Sequence, residues 1–129
     1  MAKILLLCAA ISGLLSVVIG AFGAHGLKGK ITSELLAAYQ TGVHYQMFHT
    51  LALLLLALLI LRLNTSSLFL NATGLLWLIG IILFSGSLYY LALGGPSWLG
   101  PITPLGGLLL ILGWLSFTIG IAKSSFISL

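Results

Sequence analysis

Acidic side chains are almost missing from this sequence: among 129 residues Glu34 is the single carboxylate, set against five Lys or Arg. A hydrolase needs a nucleophile, a base and an orienting acid, and no acid lies inside any of the long apolar runs. Enzyme is therefore the least favoured class, and no catalytic residue is nominated. Cysteine is just as scarce. Cys8 stands alone, which excludes an intrachain disulfide and leaves the compartment unread; inside an apolar run it is a packing residue rather than a reactive thiol. Metal-ligand spacings are missing too. There is no HxxxH and no CxxC, and His44 and His49, five residues apart, point about 140° apart around a helix. Neither a metal nor a cofactor is expected. The basic residues stand singly except for Lys28 and Lys30. No clustered basic face of the kind that binds nucleic acid follows from that, and the small excess suits an anionic membrane surface.

What the chain has in quantity is apolar length. Hydrophobic residues make up 60% of it and charged residues 5%, with mean hydropathy +1.27, too apolar for a water-soluble domain of this size. About 20 residues of helix cross a bilayer. Four stretches qualify, at 4–22, 47–63, 68–93 and 105–122. Nothing alternates with period two, and backbone groups in lipid must be satisfied within a segment, so all four are read as helices. The expected fold is all-α: one multispanning domain over 1–129, an integral membrane four-helix bundle with an interfacial or re-entrant segment between helices 1 and 2. The first run, with a basic start, is long enough to span and is read as an uncleaved helix rather than a signal.

The connections differ in kind. "NTSS" after Arg62 reads as a short polar turn, and "GGPSWLGPITP" as a breaker-rich loop that places Trp98 at headgroup level. The first connection is more informative. In "GAFGAHGLKGK", Gly20 to Lys30, glycine recurs at every third position. Threes drift around a helix, so Gly23 and Gly26 fit a helix end and a close-approach turn better than a packing seam. Thr32 then suits an N-cap, with Glu34 in the first turn of an interfacial helix over about 33–46. Leu35, Tyr39, Gly42, Gln46 and His49 follow on one stripe, and the helix either bends at Gly42 or runs straight into the second span. Lys3, Arg62 and Lys123 on one side, against Lys28 and Lys30 on the other, favour cytoplasmic termini.

Helices in lipid associate largely through small residues. The first span offers Cys8, Ser12, Ser16, Gly20 and Ala24 at every fourth position; the fourth offers Gly106, Gly113 and Gly120 at sevens. These positions, with Gly86 and Gly107, are read as packing or turn residues. Polar side chains at membrane depth need partners. His25, Tyr39, Gln46 and His49 are expected to meet Ser85, Ser87 and Tyr89 of "FSGSLYY" near one membrane face, with the Cα atoms of His25 and His49 within about 12 Å. That cluster is a candidate ligand or proton site, and a purely structural network would satisfy the same groups.

The ordered motifs "GAFGAHGLK", "YQMFHTLALL", "FSGSLYYLAL" and "ITPLGGLLLILGW" resemble the family called domain of unknown function 423, which takes in YgdD-like and transmembrane protein 256-like membrane proteins. The likeness runs from Ile4 to about Ile121. It implies a small polytopic protein of the bacterial inner membrane and carries Gly23, His25, Gly26, Gln46, His49, Ser85, Gly86, Ser87, Tyr89, Pro104, Gly106, Gly107 and Trp114 as family positions without assigned roles. The expected function is structural or accessory, with membrane lipids and a homo-oligomer or larger membrane complex as partners; the alternative is a small transporter or channel for a proton, ion or small molecule.

Overall fold

A computed structural model describes residues 1–63 and 67–124. Helix α1 spans Ala2–Phe22 and continues as a π-helical turn over Gly23–Leu27; α2 spans Ser33–Leu63, α3 Leu68–Ala92 and α4 Ile102–Ala122, with a 3-10 turn at Ser97–Leu99. All four helices are long and apolar enough to cross a membrane. The expected "NTSS" turn falls largely at 64–66, outside the described residues.

The segment expected at the interface turns out to be the first half of α2. Of the two courses open at Gly42, the chain takes the straight one, because Gly42 is buried against the Tyr89 ring and helical on both sides. Thr32 begins the helix, its Oγ1 accepting from the Leu35 N–H at 3.3 Å. With 31 residues, α2 is about 46 Å long against a hydrocarbon layer of about 30 Å. Its first turns therefore still reach into the interface. Helix α4 starts earlier than expected, at Ile102: Pro104 is accommodated in the first turn, where its missing N–H would have had no intrahelical partner.

Each helix packs chiefly on its neighbours in sequence: α1 on α2, α2 on α3 and α3 on α4. The buried positions of α1 and its π-helical turn are Ala2, Leu5, Ala9, Ser16, Gly23 and Leu27, at steps of three, four and seven. Of the every-fourth stripe expected here, Ser12, Ser16 and Gly20 lie at or beside the contact, whereas at its ends Ala24 is exposed and Cys8 is less buried than Ala9. Steps of four rotate about 40° each around the axis and leave the interface within a few turns, whereas a seven-residue alternation stays on it.

The α3–α4 contact is closer. A Cβ at Gly106 would strike the backbone of Phe84, one at Gly113 the Trp77 ring, and one at Gly120 the Leu70 side chain at 2.9 Å, so the glycines at sevens do form the seam. A Cβ on Gly20 would come within 3.3 Å of Val43, and one on Gly23 within 2.6 Å of the Tyr39 ring. Gly26 accommodates the Phe22 ring, while Gly29 turns the chain at φ +78. Gly86 departs from its expected packing role, since a Cβ there would meet nothing within 4 Å.

Candidate functional site

The polar residues of the transmembrane layer form two groups along the inward stripe of α2, one turned toward α1 and α3 and the other toward α4. On the α1 side, Gln46 is the centre. Its Nε2 donates to the Ser12 carbonyl at 3.0 Å, and its Oε1 accepts from the Tyr89 hydroxyl at 2.7 Å. Ser12 Oγ lies 2.6 Å from Thr50 Oγ1, and Ser85 donates to the Gly42 carbonyl at 2.7 Å. Tyr39 donates to the Ile19 carbonyl at 2.8 Å and packs its ring 5.0 Å from that of Tyr89. Ser12 and Ile19 of α1 and Ser85 and Tyr89 of α3 are thereby tied to α2. Gln46 is buried because it shares the inward stripe with Tyr39, Gly42 and His49, the stripe the sequence spacing indicates.

The second group faces α4. Trp114 donates its indole N–H to His49 Nε2 at 3.1 Å, and His49 Nδ1 lies 2.9 Å from the Tyr45 carbonyl. An acceptor at Nε2 and a carbonyl at Nδ1 assign the neutral Nδ1–H tautomer from hydrogen-bond geometry. Both ring nitrogens are then engaged. Trp77, almost wholly buried, packs tilted against Trp114 with ring centroids 4.6 Å apart; its own Nε1 lies over Gly113 and finds no hydrogen-bond partner among the described residues.

Two expected members of the cluster are elsewhere. Ser87 binds the Phe84 carbonyl at 2.9 Å and Thr103 Oγ1 at 2.6 Å, tying α3 to α4 instead. Two residues of helix turn the side chain by about 200°, so Ser85 and Ser87 cannot face the same neighbour. His25 is exposed on the π-helical turn. Gly13 lies beside Thr50 and Gly23 beside Tyr39, so α1 runs antiparallel to α2 and His25 is displaced from the His49 level by roughly 15 Å or more along the axis. The approach to within about 12 Å expected for this pair does not occur. The convergence on one face is accordingly corrected to a clamp at Gln46 and a strut at His49, without His25 or Ser87.

Trp114, carried by its motif but given no role by the sequence, is the residue that completes the second group. Thr50 was also missed. Its place one turn beyond Gln46 was the available signal.

Because α2 and α4 touch so little, a cleft of ≈ 560 Å³ opens between them, with Tyr45, Phe48 and His49 on one wall, Phe84 at the back and Gly107 and Trp114 on α4. A second cleft of ≈ 400 Å³ lies between α1 and α3 above Gln46. Among the described residues no three His, Cys, Asp or Glu side chains come together in a way that could hold a metal ion.

Four apolar helices held by buried side-chain hydrogen bonds, with lipid-accessible clefts between them, define a small polytopic membrane protein. The chain belongs to the family of proteins of unknown function DUF423, whose model matches residues 19–107. It is 45% identical over 121 residues to the UPF0382 membrane protein YwdK of Bacillus subtilis, covering 94% of this chain and 98% of the relative. A UPF0382 membrane protein of Haemophilus influenzae is 47% identical over 115 residues, covering 89% and 90% of the two chains. One from Staphylococcus epidermidis is 42% identical over 121 residues, covering 94% and 97%. No solved structure matches the chain.

Proposed function

We propose that this protein is an accessory component of the bacterial inner membrane, neither enzyme nor conductor, which associates with membrane lipids and with other membrane subunits, including copies of itself, along its lipid-facing clefts. The observation that carries this reading is the use of the buried polar groups. Gln46 has both ends of its amide engaged, His49 both ring nitrogens, and Ser85 and Tyr89 their hydroxyls, all within the chain. A conduction path needs polar groups in line that remain open to a passing ion or proton. Here those groups hold helices together. The bacterial relatives, named as membrane proteins, support the compartment, and the basic residues Lys3, Arg62 and Lys123 support cytoplasmic termini.

The test is reconstitution of the full chain into liposomes, with proton and potassium fluxes followed under an imposed potential. Rates equal to those of protein-free vesicles are expected. A protein-dependent flux abolished by Gln46→Leu would overturn the reading.

A further inference from the structure

The α2–α4 cleft is lined by two polar side chains for which the described residues supply no hydrogen-bond partner. His44 and Tyr45 both line it, and no described residue hydrogen-bonds the His44 ring or the Tyr45 hydroxyl, although the Tyr45 carbonyl serves His49. They lie about one helical turn, within roughly 8 Å, of the His49–Trp114 level, and His49 itself sits about 24 Å along the ~46 Å of α2. Both are thus inside the hydrocarbon half-layer of about 15 Å. Donors at that depth have no water and carry a cost until something accepts from them.

The rest of the cleft is suited to a flat ring. Tyr45 and Phe84 rings lie 4.4 Å apart, and Phe48 and Trp114 rings 6.0 Å apart. Gly107 leaves the facing surface of α4 without a side chain, and Ile111 is 65% exposed where the cleft meets lipid. The floor is closed by the Trp114–His49 hydrogen bond. At ≈ 560 Å³ the space falls within the range of small-molecule sites, which are mostly apolar and aromatic with a few placed polar groups.

We propose that this cleft binds a membrane-soluble quinone. The ring inserts between the aromatic wall and Gly107, a ring carbonyl accepts from the Tyr45 hydroxyl or the His44 N–H, and the isoprenoid tail leaves past Ile111 into the bilayer. A phospholipid acyl chain would fill the volume but supply no acceptor, leaving both donors unanswered, and it would gain nothing from stacked rings. The inference rests on the reading of a non-conducting, binding protein and names its ligand class.

The experiment is a titration of the full chain in phospholipid nanodiscs with a short-tailed quinone, following tryptophan fluorescence, with Trp114→Phe to identify the reporting indole. Saturable quenching is expected, lost in Trp114→Phe and at least tenfold weaker in Gly107→Leu, whose side chain occupies the cleft. Tyr45→Phe removes a hydroxyl that no described residue uses, so folding should be undisturbed and affinity should fall about three- to tenfold, as loss of one neutral hydrogen bond implies. Quenching that rises linearly with quinone mole fraction and is the same in all cleft variants would overturn the proposal. Equal displacement by an isoprenoid hydrocarbon, which carries no acceptor, would also overturn it, in favour of an acyl-chain groove. Neither outcome bears on the flux measurement, so the two readings fail separately.

Discussion

Trp114 on α4 reaches across to His49 on α2 and donates its indole N–H to Nε2 at 3.1 Å, although the two helices share little other contact. The histidine is consequently held as a neutral strut, with its second nitrogen on the Tyr45 carbonyl. A buried imidazole with both nitrogens engaged is poorly placed to relay protons and well placed to set a spacing.

His49→Ala should leave the Trp114 N–H without an acceptor and cost about 1–3 kcal/mol. His49→Gln returns a side-chain carbonyl and should recover part of that loss. Ultraviolet resonance Raman of the indole N–H reads the bond directly, and a Trp114 signature unchanged in His49→Ala would show that the strut is not formed.

At the other group, Gln46 and Tyr89 provide a double-mutant cycle. Their 2.7 Å hydrogen bond lies at membrane depth, where such couplings average about 0.6 kcal/mol and reach about 1.7 kcal/mol. Tyr89→Phe with Gln46→Leu should show a coupling in that range by reversible unfolding in mixed micelles. Strict additivity would mean that the two side chains act independently.

Two glycines only a few turns apart in the α3–α4 hairpin should respond in opposite directions. Gly106→Ala forces Cβ into the Phe84 backbone, an overpacking worth about 1–3 kcal/mol of destabilisation. Gly86→Ala enters open space in a helix interior and should stabilise by roughly 0.5–1 kcal/mol. Thermal unfolding in detergent compares them, and a Gly106→Ala protein as stable as wild type would contradict the close approach.

Apolar run length made the four helices readable, and the alternating threes and fours of Tyr39, Gly42, Gln46 and His49 made the inner face of α2 readable too. Rotation elsewhere was not. Helix α3 is apolar on nearly every side, because lipid and protein neighbours accept the same residues, so nothing in "FSGSLYY" separates the α2-facing Ser85 from the α4-facing Ser87. The Trp114–His49 bond needs α4 to run parallel to α2 at a particular height, which depends on the lengths of α3 and its loop rather than on either residue. His25 was placed near His49 on chemical affinity alone, and the antiparallel register of α1 separates them.

The nearest-neighbour order of the helices also bears on biosynthesis. Since α1 lies on α2, α2 on α3 and α3 on α4, each newly made span finds its principal partner already in the bilayer. The Gln46–Ser12 bond can close before α3 is synthesised, and the Tyr89 hydroxyl then joins an existing hairpin. Assembly that follows the order of translation, with contacts local in the chain, favours rapid folding and limits how long any unpaired amide must wait in lipid.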